Sequence, residues 1–381
     1  MEKKSIVFGI ILGILLFNLN MFMLTTTQSL QEPIPTITFN RVLHEPFIIT
    51  NDTNFTIFPG AGTPSDPYVI ENYDITTSES NAIFVNGTTK NFVIRNCYLE
   101  SIDSAIDILY AAENTVTLEN NICSLSGNGI RIFNSPEVSI LNNNCTDNMG
   151  FGISIDNSNS SSVEQNFCNN NGDAGINIYE SMEVFVSNNT IENNVVKSLI
   201  IYNSENCLIQ NNSFMYTHKH HVYVSISSFY NTFQYNIFYN TTDWFGVVMV
   251  GSNNIFHHNL IQECKGGINT PLFSMNNVIH HNSFVDNERE ILEVSQAVDD
   301  GENNIWYDTT TNEGNYWSDW SGEGEYEIEG GVNSTDPYPL TDPPIPPIKD
   351  AKASFPFITL LPILIILTIV LRKPKKSNIK Q

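Results

Sequence analysis

His257-His258 and His280-His281 are two imidazole pairs set 23 residues apart. Imidazole nitrogens are donors that copper and zinc accept readily, so these four are candidate metal ligands wherever the chain brings them together. His218, His220 and His221 sit further upstream. A second set consists of Asp103, Asp107 and Arg131, carboxylates with a cation nearby, as acid/base work on sugars requires; Asp299-Asp300 is another acidic pair. The competing reading of Asp107 and Arg131 is a surface ion pair. Phe133, Tyr179 and Tyr202, with Asn177, form a third set. Aromatic faces stack on sugar rings while amides bond hydroxyls, although the same rings could simply shield a sheet.

All three sets sit on one repeat. Asn96, Asn121, Asn144, Asn166, Asn189, Asn212, Asn236, Asn259 and Asn282 recur at gaps of 22 to 25, each three residues after an apolar residue. Those partners are Val93, Leu118, Leu141, Val163, Val186, Ile209, Phe233, Phe256 and Ile279. About ten residues later a second row follows: Ile106, Ile130, Ile153, Ile176, Leu199, Val222, Val247, Ile268 and Ile291. Self-similarity at this period marks a solenoid whose units bury their apolar faces only by stacking. The runs between Asn, Ser, Gly and Asp clusters are short and β-branched, with apolar and polar residues alternating, which predicts strands and leaves no room for helices. A leucine-rich repeat has similar length, and 116–123 even fits one, but leucine is scarce at the repeat positions. The expected fold is all-β, a single-stranded right-handed parallel β-helix of about ten turns spaced by roughly 4.8 Å. In-register asparagines would then form a hydrogen-bonded ladder, helped by the tolerance of Asn for left-handed turns.

The ends differ from the body. A basic flank and an apolar run mark residues 1–30 as a signal peptide or membrane anchor. Residues 31–66 are expected to cap the solenoid, 67–302 to carry the repeats and 303–340 to cap the other end. A Pro-rich linker (341–354) leads to an apolar stretch at 355–371, read as a spanning helix, and a basic tail at 372–381, read as cytoplasmic. The net charge is −24, and nine of the 17 Lys and Arg lie outside the body. So acidic a body suits neither nucleic acid nor anionic membranes. Cys97, Cys123, Cys145, Cys168, Cys207 and Cys264 permit disulfides outside the cell, but serve equally as a small apolar row.

The repeats resemble the right-handed parallel β-helix, or pectin-lyase-like, superfamily. More narrowly they resemble NosD-type periplasmic copper-binding proteins and archaeal surface β-helix proteins. The motif carrying this is Asn-Asn-x-Ile-x-x-Asn followed by Gly-Ile-x-Ile, seen at 277–282 and at Gly175-Ile176-Asn177-Ile178. The stretches 60–70, 314–320 and 336–340 add to it, so that the likeness covers roughly 58 to 340. Relatives often carry an Asp/Gly-rich stretch where this chain has Ser321-Gly322-Glu323-Gly324-Glu325, which departs from a calcium-binding pattern. The resemblance implies a scaffold that hosts lyases, hydrolases, epimerases, adhesins and accessory proteins.

Together these readings predict an extracellular β-helix protein tethered to the plasma membrane and binding polysaccharide or glycoprotein of the envelope. A polysaccharide lyase or hydrolase and a copper-handling accessory protein are the alternatives. No cofactor is required by the motifs, and copper or calcium are the ions to consider.

Overall fold

The computed structural model describes residues 40–287 and 296–348. From Arg41 onward these form one compact unit, a parallel β-solenoid. The alternation foreseen in the sequence is what builds it. In Phe92–Arg95 the side chains alternate buried and half-buried, as they do in Val116–Glu119. Each coil contributes three strands, such as Phe92–Arg95, Tyr98–Ser101 and Ser104–Leu109. They belong to a first sheet of 10 strands, a second of 12 and a third of 11, all paired in parallel with the next coil. Neighbouring strands of each sheet thus come from successive coils, and every backbone amide in the ladder finds its partner one coil away.

The interior is apolar and in register. Ile106, Ile130, Ile153, Ile176, Leu199, Val222, Val247 and Ile268 pair successively along the third sheet and are fully buried. Ile291 falls outside the described residues, and Ala297 takes the place opposite Ile268. Along the second sheet one interior row runs Cys123, Cys145, Cys168, Ile191, Phe214, Phe238, Ile261, Phe284 and Trp317. Small thiols fill it where Gly129 and Gly152 bring the third sheet close; a Cβ on Gly129 would lie 3.1 Å from Cys145 Cβ, and one on Gly152 3.3 Å from Cys168 Cβ. Rings fill it further on, with Phe214 stacked on Phe238 at 4.9 Å. All six cysteines are buried and free, so they serve as apolar filler.

An asparagine ladder lines the turn between the first two sheets, with two changes of register. Asn121, Asn143, Asn166, Asn189, Asn212, Asn236, Asn259 and Asn282 hydrogen-bond one to the next, and Asn282 continues to Asn315. Asn143 holds the place expected for Asn144, and Cys97 the place expected for Asn96. The buried apolar residues three positions earlier are Ile140 and Ile94, whereas Leu141 and Val93 point outward. The left-handed angles fall on the preceding residue, including Asn96, Asn120, His258 and His281. Ladder residues themselves face inward, with Nδ2 donating to a carbonyl of the preceding coil, as Asn189 does to Val163 at 2.8 Å.

At the first end, Phe55 from the 3-10 helix Asp52–Ile57 lies against Tyr68 and Phe92. At the other, Trp317 stacks on Tyr326 at 4.2 Å. Asp299 and Asp336 each accept an indole N–H, from Trp306 at 3.0 Å and Trp317 at 2.9 Å.

The membrane architecture expected from the sequence is corrected. Among the described residues no helix is long and apolar enough to cross a membrane. The stretches to which a tether, a spanning helix and a cytoplasmic tail were assigned, 1–30, 355–371 and 372–381, lie outside the described residues.

Candidate functional site

Two outward-facing patches gather the chemistry. The first lies on the third sheet. Arg131, in Asn128–Phe133, sits one coil above Asp107 in Ser104–Leu109. Its Nη1 approaches Asp107 Oδ1 at 3.3 Å, and its Nε lies 3.9 Å from Asp156 Oδ2, one coil further. One guanidinium therefore faces two carboxylates. Burial pushes the Asp107 carboxyl above its usual range, and Arg131 opposes that shift. Asp156 is raised for the same first reason, with the Ser154 hydroxyl and Arg131 opposing. Asn81 Nδ2 donates to Asp107 at 3.3 Å, Ser154 Oγ donates to Asp156 at 3.1 Å, and Asn177 Nδ2 donates to Ser154 at 3.0 Å. Asp103 is exposed and touches neither partner; its charge acts on Asp107 as the smallest of the contributions.

Aromatic residues continue this face. The Arg131 guanidinium lies 5.4 Å from the Phe133 ring centroid, and Tyr179 stacks on Tyr202 at 5.3 Å with an 8° interplanar angle. Both tyrosines are exposed, at 39 % and 46 %. Beside them Glu180, Met182, Asn203, Glu205 and Phe229 line a cleft of about 330 Å³. The tyrosine pair beside a mostly polar cleft lined by two acids offers stacking surface and hydrogen-bond acceptors together.

The second patch is the histidine column, at the turn that follows the first sheet. His257 stacks on His280 at 5.2 Å and His258 on His281 at 4.9 Å. The sequence suggested that equivalent imidazoles one coil apart would share an ion. Parallel stacking instead aims their in-plane lone pairs side by side. The rings that converge are neighbours in the chain: His280 and His281 bring Nδ1 to Nδ1 at 2.7 Å, and His257 and His258 do so at 2.8 Å. Partial burial and the neighbouring imidazoles depress His257 and His280 to about 4, so both are neutral at pH 7. His280, His281 and Asp308 each place one ligand atom within 4.8 Å of the others, a donor set able to hold a metal ion. Sequence reasoning missed Asp308, because the repeat breaks between Asn282 and Asn315 and no period predicts its position.

The remaining candidates stay apart from both patches. His220 Nδ1 contacts the Phe245 carbonyl at 3.0 Å. His221 is fully buried, with Nε2 on the Tyr239 carbonyl at 3.0 Å and Nδ1 on Ser198 Oγ at 3.2 Å. Asp299 is committed to structure through Thr270, Asn304, Trp306 and Ser334.

The coils, their parallel sheets and their three-strand turns define a β-solenoid, and the chain belongs to the family described as right handed beta helix region, which it matches over residues 49–214 and 174–331. No curated protein matches it significantly. Among solved structures it is similar to the periplasmic alginate epimerase AlgG, at 14 % identity over 68 % of this chain and 73 % of that one, with a TM-score of 0.42. It is also similar to the Azotobacter vinelandii mannuronan C-5 epimerase AlgE6 A-module, at 14 % identity over 62 % and 63 %, with a TM-score of 0.38. A third likeness is to the Dettilon tailspike protein, at 12 % identity over 69 % and 61 %, with a TM-score of 0.44. At such identities the likeness is one of fold.

Proposed function

We propose that this protein cleaves polysaccharide on the outward face of its third sheet, with Asp107 and Asp156 as the paired acids. The observation carrying this reading is Arg131 set between two carboxylates, the buried Asp107 and the half-buried Asp156, whose proton affinity burial has raised. In this reading Asp107 gives its proton to the glycosidic oxygen as the bond to the anomeric carbon breaks. Asp156 takes a proton from the water that attacks that carbon. Tyr179 and Tyr202 hold sugar rings further along the same sheet.

Reducing-end release from a panel of neutral and acidic polysaccharides tests the proposal, with ultraviolet absorbance of unsaturated products separating hydrolysis from elimination. Asp107→Asn should lower the rate by about 10²-fold or more. Full activity in that variant, or no product from the wild type on any polysaccharide, defeats the reading.

A second reading, an accessory role in copper handling of the NosD type, is supported by His280, His281 and Asp308.

A further inference from the structure

We infer that His280 and His281, with Asp308, form a binding site for a divalent d-block cation, and that Glu313 is the residue positioning it. The inference gives atoms to the second reading above and is independent of the glycan reading.

The geometry of His281 is fixed from its far side. Its Nε2 meets Glu313 Oε2 at 2.9 Å. A carboxylate only accepts, so Nε2 carries the proton and Nδ1 presents its lone pair. That lone pair points at His280 Nδ1, 2.7 Å away. Without an ion, His280 Nδ1–H donates into it. With one, the His280 proton moves to Nε2, both Nδ1 atoms become donors, and no proton is released. Metal–imidazole bonds of about 2.0–2.1 Å in a tetrahedral arrangement need the two nitrogens about 3.3 Å apart, an opening of about 0.6 Å from the 2.7 Å contact.

Both acids come from one hairpin. Asp308 and Glu313 pair across an antiparallel bridge, with the Asp308 amide donating to the Glu313 carbonyl at 2.8 Å. The Asp308 carboxylate is anchored through Oδ1 by the Thr310 amide at 2.8 Å. One turn of chain thus supplies the third donor and the group that orients a first. A carboxylate holding the far nitrogen of a ligating imidazole is what raises its basicity and fixes its tautomer. Two imidazoles with one carboxylate favour copper(II) or zinc over calcium, which prefers oxygen ligands in larger number.

The column contains its own control. His257 and His258 repeat the Nδ1 contact at 2.8 Å one coil earlier, but the hairpin's Glu313 contacts His281. Nitrogen convergence is common to both pairs; the positioning carboxylate is not.

Calorimetric titration of the chelator-stripped full chain with Zn²⁺, and electron paramagnetic resonance with Cu²⁺, test the site. One equivalent of each should bind, with hyperfine coupling from two nitrogens for copper, and Ca²⁺ should not compete. Asp308→Asn and His281→Gln should each weaken Zn²⁺ binding at least about tenfold, and Glu313→Gln by about 10- to 100-fold. Replacing His257 and His258 together with Gln should leave affinity within about threefold. Unchanged affinity in Asp308→Asn, competition by Ca²⁺, or less than half an equivalent bound overturns the inference. Should His281→Gln not fold, Asp308→Asn and Glu313→Gln on the exposed hairpin still decide it. Failure of this inference by those measures leaves the glycan reading intact, which polysaccharide cleavage by the chelated protein tests separately.

Discussion

The Asp107–Arg131–Asp156 patch and the histidine column use the same coil differently. In the first half, chemistry stands on strand interiors, where backbone pairing to both neighbours fixes each side chain and the interior behind is packed with thiols against glycines. In the second half it stands at a turn, on residues such as His258 and His281 with left-handed backbone, backed by rings. Strand positions hold a mixed-charge cluster that must stay rigid and partly dry. Turn positions let two adjacent side chains converge, which a strand forbids because neighbours there point to opposite faces. A solenoid can therefore assemble different chemistries by choosing corner or flat.

The sharpest way to break this comparison is through the core behind the histidines. Phe238→Ala removes a fully buried ring from the stack and should cost about 3–5 kcal/mol in chemical denaturation. An equal loss from Cys145→Ala would erase the contrast between the halves. Next in size, Asn189→Ala should cost about 1–3 kcal/mol by leaving buried ladder partners unpaired, whereas Asn144→Ala, outside the ladder, should cost less than about 0.5 kcal/mol. Equal midpoints would refute the register.

His221 gives a pH test. Its folded-state value is depressed to about 3, by burial first, against an ordinary value of 6.5. Between those values the unfolded chain binds a proton that the folded one refuses. Stability should therefore fall as pH drops below about 6.5, by about 1.4 kcal/mol per unit from this group. A His221→Gln variant should show a shallower decline over the same range; an identical slope counts against the assignment. Smallest of all, Tyr202→Ala should weaken retention in polysaccharide-containing gels by about 1 kcal/mol without moving the denaturation midpoint. Unaltered retention would reduce the tyrosine pair to a shield over the sheet.

The solenoid was legible because stacking forces like residues into like places. The rule of an asparagine three residues after a buried apolar residue holds in each coil from Leu118 to Ile279. It misplaced Asn96 and Asn144 where two apolar residues adjoin, Val93-Ile94 and Ile140-Leu141, since the sequence does not say which of two neighbours points inward. Arg131 opposite Asp107 followed from the period; Asp156 joins them diagonally, two residues along the strand, beyond what a row-by-row reading pairs. Asp308 and Glu313 were hidden for another reason: 33 residues separate Asn282 from Asn315, so the hairpin that carries both has no counterpart in another coil among the described residues.

That periodic body also acts as a ruler. Gaining or losing one coil of about 23 residues would slide the tyrosine pair relative to the paired acids by a single fixed increment of about 4.8 Å and leave each local arrangement untouched. Distances along this molecule are thus quantised, and the reach of its outward face can change only by whole coils rather than by gradual drift.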